Sequence, residues 1–148
     1  MRALIQRVSS ASVFIDSLEH SSINSGLVLL IGIQTGDTKE DADYLLKKIL
    51  NMRIFSDKEG KMNLSVLDIA GEMLVVSQFT LYASTKKGNR PSFIKSARPE
   101  EAIPLYEYFV KTCSNAIKVK TGKFGADMQV SLTNNGPVTV WLDSRNRE

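Results

Sequence analysis

The run Met73-Leu74-Val75-Val76 admits few structures. Apolar residues in unbroken succession, without alternation, describe a strand buried on both faces. At its C-terminal end, through Leu81, three polar side chains (Ser77, Gln78 and Thr80) gather around one aromatic, Phe79. A buried strand has no structural use for that trio unless each member finds a partner. The end of a rigid strand is also where side chains and backbone N–H groups can be held for chemistry. From the residues alone two readings stand: a strand that surfaces and turns polar, or the floor of a site.

The rest of the chain supplies a core for such a strand. With 148 residues, 43% of them hydrophobic and 24% charged, it is long and apolar enough for one globular, soluble domain spanning residues 1–148. A net charge of +3 is compatible with a nucleic-acid partner without pointing to one. The single cysteine, Cys113, excludes an internal disulfide and favours a reducing compartment. Arg2 and Arg7 interrupt the short apolar stretch at the N-terminus, so neither a signal peptide nor a membrane span is expected there, and a cytoplasmic location follows.

Ala3 to Val8 alternates as a strand, Ser9-Ser10 breaks it, and Ser12 to Ile15 is a second short strand before the turn residues Asp16-Ser17. Gly26 to Ile33 is the most apolar segment and reads as a central strand. A helix follows, with Asp37 as cap, Glu40 three residues on, and Ala42, Leu45, Leu46, Ile49 and Leu50 in one apolar stripe. Phe55 to Leu64 reads as a polar surface loop. A second helix begins near Pro99, with Glu100 and Glu101 at its positive end and Ala102, Leu105, Tyr106, Phe109, Val110 and Cys113 along its stripe. Pro104 either kinks this helix or marks its regular start. Cys113, on that stripe, reads as core packing. Met128, Val130 and Leu132 form one face of a half-buried strand, and Val138, Val140 and Leu142 repeat the pattern after the break Asn134-Asn135-Gly136-Pro137. Asn-Gly is a turn former, and a Gly-Pro bond is one where cis geometry is possible. The fold class is α+β: one domain with a mixed or barrel-like sheet and two main helices.

From Met73 to Pro99 there is no acidic residue, and Lys86, Lys87 and Arg90 fall in a stretch that Gly88 and Pro91 keep from being helical. This is either a solvated loop or, given its closeness to Ser77–Thr80, a phosphate-binding one. Several chemistries lack their residues. The one histidine, His20, lies in a polar early turn and reads as a surface residue. No zinc-ligand cluster, phosphate-binding glycine loop or nucleophile elbow is visible. No metal and no cofactor is expected. An enzyme of this composition would work with hydroxyls, an amide, backbone donors and the substrate itself.

Ser77-Gln78-Phe79-Thr80-Leu81 together with Asn135-Gly136-Pro137-Val138-Thr139 resembles the paired signature of the D-aminoacyl-tRNA deacylases. Met1 to Val8, Arg53-Ile54-Phe55-Ser56-Asp57, Gly88 to Phe93, Leu105-Tyr106 and Phe124 to Met128 are also similar to that family, so the resemblance runs from residue 1 to the Trp141 region. One departure is Asn135, where members often carry Asp. The resemblance implies a homodimeric, metal-free hydrolase acting on the ester between a D-amino acid, or glycine (as on tRNA-Ala), and the 3′-terminal adenosine of tRNA. It implies that Ser77, Gln78, Phe79 and Thr80 line the pocket. It also implies that a cis Gly136-Pro137 pair reaches into the other subunit's site as a chiral filter rejecting L-aminoacyl-tRNA. Backbone N–H groups near Phe79 and Thr80 would stabilise the oxyanion, with Thr80 as covalent nucleophile the second-ranked mechanism. An RNA-binding module without turnover, using Lys86, Lys87 and Arg90, and a general esterase acting through Ser77 or Thr80 are the competing function classes.

Overall fold

Strand β1 (Arg2–Ile15) is the one on which the sheet is assembled. The structure, a computed structural model, describes residues 1–147. One edge of β1 pairs antiparallel with β8 (Gln129–Asp143) from Arg2, opposite Asp143, to Phe14, opposite Gln129. Its other edge is shared by β3 (Gly26–Gly32) along the first half and β2 (Leu18–Ile23) along the second. Strand β3 pairs parallel with β6 (Glu72–Ser77), and β6 pairs parallel with β7 (Lys118–Thr121). The sheet rolls until β2 approaches β7, where the Ser21 hydroxyl donates to the Thr121 carbonyl at 2.8 Å. The result is a nearly closed, mixed, barrel-like sheet with helices α1 (Lys39–Asn51) and α2 (Pro99–Ser114) on its outside. None of the described helices is long and apolar enough to cross a membrane.

The unbroken apolar runs of β3 and β6 are explained by two cores. Leu27, Leu29, Ile31, Met73 and Val75 pack with Leu45, Ile49 and Phe109 of the helices. Val28, Leu74 and Val76 face the barrel interior with Val8, Val13 and Ile23. Each such side chain fully removed from water contributes about 1.5–3 kcal/mol, so both faces must stay apolar. At the start of β3 the backbones come so close that a Cβ on Gly26 would lie 1.9 Å from the Glu72 carbonyl oxygen. Cys113 is buried in the helix-side core, and that burial pushes its thiol pKa up to about 12. This agrees with core packing rather than reactivity.

Several local expectations give way to pairing between distant segments. Ser9-Ser10 does not end a strand: β1 runs through it because β8 supplies partners on both sides. Likewise Asn134–Pro137 is not a break between two strands but a bulge within the single strand β8. Gln6 faces Thr139 and Val8 faces Asn134, so the residues between Asn134 and Thr139 loop out opposite Arg7. His20 lies in β2, exposed, rather than in a turn. The Phe55–Leu64 stretch closes a small hairpin of β4 (Phe55–Ser56) and β5 (Met62–Leu64) around the Asp57–Gly60 turn. Helix α2 starts at Pro99 and continues through Pro104, whose missing N–H is tolerated on the exposed face near the N-terminus. Strand β7 carried no recognisable pattern of its own.

The cap of α1 is also displaced by one residue. Thr38 is the N-cap and Asp41 returns the bond, accepting from the Thr38 N–H at 2.9 Å. Asp37 has a different role. Its carboxylate lies 2.9 Å from the α-ammonium of Met1, with both groups fully buried. The ammonium also donates to the Ser144 hydroxyl at 2.6 Å, and that hydroxyl donates to Asp41 at 2.6 Å. Arg145 stands 3.0 Å from the other Asp37 oxygen. Both ends of the described chain are thereby tied to the start of α1.

Candidate active site

The parallel pair β3 and β6 ends in register, Ile31 opposite Ser77, and a cleft opens just beyond these C-terminal ends. This is the place where open α/β pairs commonly bind ligands, because no further side chains continue the strands. The cleft has a volume of about 300 Å³. Its floor is Ile31, Val76 and Ser77, its one wall Gln78 and Phe79, and its other the segment from Phe124 to Met128. It sits where the helix-side core and the barrel-interior core meet, which makes it largely apolar.

The strand stops at Ser77, earlier than the sequence pattern through Leu81 implied. Gln78 leaves the sheet while still donating its N–H to the Ile31 carbonyl at 2.7 Å, and Phe79–Tyr82 forms a 3₁₀ turn. The first N–H groups of such a turn have no carbonyl inside it to bond. Here they are those of Phe79 and Thr80. The Ser77 hydroxyl lines the cleft without an intramolecular hydrogen bond among the described residues. The Thr80 side chain does not line it: its hydroxyl accepts from the Gln78 amide on the exposed side.

The last turn of this element is clamped from the other side of the sheet. Arg2 donates to the Leu81 carbonyl at 2.9 Å and to Asp143 at 2.8 Å, its guanidinium lying 4.4 Å from the centre of the Tyr82 ring. Burial alone would raise the Asp143 pKa, but the Arg2 bond and the N–H groups of Arg145 and Asn146 hold it below the usual carboxylate range. Burial and the nearby carboxylates of Asp37 and Asp143 push the Tyr82 phenol well above its ordinary value.

The basic stretch is an exposed loop pinned beside the cleft mouth. Ser84 and Ser92 exchange backbone hydrogen bonds of 2.8 and 2.9 Å, closing the loop that carries Lys86, Lys87 and Arg90. Immediately after it, Phe93 packs edge-on against Phe79 with ring centres 5.0 Å apart. Phe79 itself remains 58% exposed, an aromatic face at the rim.

Gly136 and Pro137 do not belong to this cleft. They occupy the β8 bulge, and the bond between them is cis. Arg7 holds the bulge, donating to the Asn135 carbonyl at 2.8 Å and to the Ile54 carbonyl at 2.5 Å. The Asn134 side chain accepts from the Val138 N–H at 2.8 Å and donates to Thr139 at 3.0 Å. Val130, which lines the cleft, precedes Gly136 on the same strand by six residues, a separation of ~20 Å at about 3.3 Å per residue. Within one chain the two motifs therefore stand apart; sequence reasoning assigned the Gly136-Pro137 pair to the other subunit's site. It gave no role to Asp127, the one ionisable side chain lining the cleft, or to Ala97 and Ala102. Only the similarity of Phe124–Met128 to a known pattern marked that wall.

Residues 4–143 match the family described as D-Tyr-tRNA(Tyr) deacylase. A D-aminoacyl-tRNA deacylase of Cytophaga hutchinsonii is 59% identical over 150 aligned residues, covering 100% of both chains. One of Bacteroides fragilis is 58% identical with the same coverage. Among solved structures, one described as c-Myc DNA Unwinding Element Binding Protein superposes with a TM-score of 0.92 at 41% identity, over 97% of this chain and 98% of that one. A second, described as a probable eukaryotic D-amino acid tRNA deacylase, superposes with a TM-score of 0.81 at 18% identity, covering 95% and 97%, which is a likeness of fold.

Proposed function

The chain belongs to the D-aminoacyl-tRNA deacylase family and is a hydrolase of the aminoacyl-tRNA ester, and from that premise we propose how its residues divide the work. The cleft at the ends of β3 and β6 receives the aminoacyl end of the tRNA, with Ser77, Gln78 and Phe79 around the ester. Water adds to the carbonyl carbon and the bond to the ribose 3′ oxygen breaks. The 3′ oxygen leaves as a hydroxyl, and the amino acid is released. The N–H groups of Phe79 and Thr80 hold the charge that develops on the carbonyl oxygen, each contributing roughly 3 kcal/mol. The vicinal 2′-hydroxyl of the substrate assists the water, so no protein base is needed. The observation that carries this reading is a 3₁₀ turn that begins at Phe79, on the lining of a largely apolar cleft, and whose first two N–H groups have no partner inside the turn.

The chiral filter is the Gly136-Pro137 bulge of a second copy, in a homodimer. What supports this is the bulge's distance from its own chain's cleft together with the dedicated Arg7 clamp. Glycine esters, which carry no side chain to reject, are then substrates as well. The site of action is the cytoplasm, where aminoacyl-tRNA is used. Hydrolysis of matched D- and L-aminoacyl-tRNA by the purified protein tests the reading: D and glycyl esters are cleaved and L esters spared. Equal cleavage of both, or cleavage of simple esters without tRNA, would favour a general esterase.

Three outcomes follow at this site. Thr80→Val removes the hydroxyl and keeps the backbone N–H. Turnover should fall by less than about tenfold, against the many orders expected for a lost nucleophile; a trapped aminoacyl adduct on Thr80 would overturn the assignment. Replacing Lys86, Lys87 and Arg90 together by Ala should weaken tRNA binding uniformly across tRNA species. The log–log salt slope should flatten by about 2–3, at roughly 0.7–0.9 per lost phosphate contact. Wild-type affinity and slope in that variant would mean the loop is merely solvated. Dialysis against a strong chelator should leave turnover unchanged, since Asp127 is the only acidic side chain lining the cleft and no group of three or more metal-ligating residues occurs among the described residues. Restoration of a lost activity by one defined metal would refute it.

A nucleic-acid-binding role beside turnover is the second reading. The exposed basic loop and the name of the 41% identical solved structure favour it. Filter binding of tRNA and of duplex DNA by the basic-loop variant separates the two substrates.

A further inference from the structure

We propose that Ser96 is a positioning residue for ester hydrolysis, acting by aiming the Thr80 N–H into the cleft. The proposal rests on the reading above that this N–H stabilises the carbonyl oxygen. The Ser96 hydroxyl donates to the Phe79 carbonyl at 2.8 Å. That carbonyl and the Thr80 N–H belong to one peptide plane. Among the described residues the only cis bond is Gly136–Pro137, so this peptide is trans and its C=O and N–H point in opposite directions. Pinning the carbonyl toward Ser96 therefore sets the direction of the N–H.

Ser96 is itself held on the far side of the rim. Its N–H donates to the Phe93 carbonyl at 2.9 Å, and it bridges to Gln34 beyond the end of β3. The next residue, Ala97, lines the cleft and donates its N–H to the Ile33 carbonyl at 2.9 Å. The clamp is thus anchored on the extension of the same strand that forms the cleft floor. Within the 3₁₀ turn the Phe79 carbonyl also faces the Tyr82 N–H three residues on, between the bonds from Leu81 to Gln78 and from Ala83 to Thr80, and Ser96 adds the restraint on this peptide that comes from outside the turn. A donor that rotates freely must be reoriented in the transition state, whereas a pinned one is already aligned.

Single-turnover hydrolysis of a D-aminoacyl-tRNA by wild type, Ser96→Ala and Ser96→Thr tests this. Loss of one oxyanion donor costs about 10²–10³ in rate, and a misaimed donor keeps part of its effect, so Ser96→Ala should be slowed by about tenfold. The substrate concentration for half-maximal rate and the unfolding temperature should stay near wild type, and Ser96→Thr, which retains the hydroxyl, should restore the rate. A Ser96→Ala rate within about twofold of wild type would overturn the proposal, since the tenfold loss above would be absent. So would a loss matched by weaker binding or a lower unfolding temperature, or one that Ser96→Thr does not relieve. If wild type fails to hydrolyse the ester, it is the reading of the cleft that falls instead.

Discussion

Gly136→Ala should remove most of the discrimination between D- and L-aminoacyl-tRNA while the barrel stays folded. Gly136 has a φ of 138°, a region that L side chains rarely adopt. An added Cβ would stand 2.8 Å from an Arg7 guanidinium nitrogen, 2.8 Å from a Val138 methyl carbon and 3.0 Å from the Val138 nitrogen. The substituted residue costs about 1–3 kcal/mol in backbone strain alone, and the bulge relieves it by moving away from Arg7. The bulge is exposed and its neighbours in β8 remain paired, so the displacement stays local. A filter that works by leaving no room for one configuration fails when its backbone moves by a fraction of an ångström. The ratio of D to L hydrolysis rates should drop by at least tenfold, because a site built on fixed polar groups discriminates by factors of about 10⁴–10⁵ only while those groups hold their places. Arg7→Lys should act in the same direction more weakly, since lysine cannot donate to Asn135 and Ile54 with one planar fork. Undiminished selectivity in Gly136→Ala, with sedimentation showing an unchanged assembly, would remove the bulge from the filter.

Asp37→Asn is expected to lose about 3–5 kcal/mol of stability, the range for breaking a buried pair by removing one partner. The Met1 ammonium would remain fully buried with neutral acceptors in direct contact, the Ser144 hydroxyl among them, in place of the Asp37 carboxylate. For a chain of this length the unfolding temperature should fall by about 10 °C or more. Denaturant unfolding should show a lower midpoint at unchanged slope. Lys61→Ala is the matched comparison. Its ion pair with Glu59 lies on the surface, with side chains 74% and 72% exposed, and its loss should be barely measurable. A fall of under about 3 °C in Asp37→Asn would mean that the amide oxygen and neighbouring acceptors accommodate the ammonium without a full charge. The network also bears on the cleft. Asp37 accepts from the Gln34 N–H at 2.7 Å, and Gln34 bridges to Ser96. Loosening it should therefore lower turnover along with stability.

Asp37 also separates what is local in this protein from what is not. Its place before an apolar stripe reads as a helix cap, yet the carboxylate is taken by the α-ammonium of the first residue, and Thr38 caps instead. No pattern within a helix-length window can report a partner that far along the chain. The same holds for β1 and β8. Ser9-Ser10 and Asn134–Pro137 are genuine local breakers, but each strand offers the other a continuous ladder, and the mismatch is absorbed as a bulge. That bulge presents the Gly-Pro pair away from its own chain's cleft, a separation that periodicity and breakers along the sequence do not encode.

Other features were determined by the sequence itself. The runs Gly26–Ile33 and Met73–Val76 call for strands covered on both faces, and the two cores provide that cover. The apolar stripes of Ala42–Leu50 and Ala102–Cys113 became helices against one of those cores. Of the polar cluster at the end of the buried strand, Ser77 and Gln78 line the cleft together with Phe79, while Thr80 turns to the exposed side. Periodicity, breakers and composition act over a few residues, within the reach of backbone hydrogen bonds and neighbouring side chains, and so can be read in order. The strand register, the Phe124–Met128 wall, the Ser96 clamp and the buried pair at the N-terminus depend on which distant segments meet. Only the closing of the barrel decided that, because the free energy that selects those meetings comes from burying both faces of β3 and β6 at once.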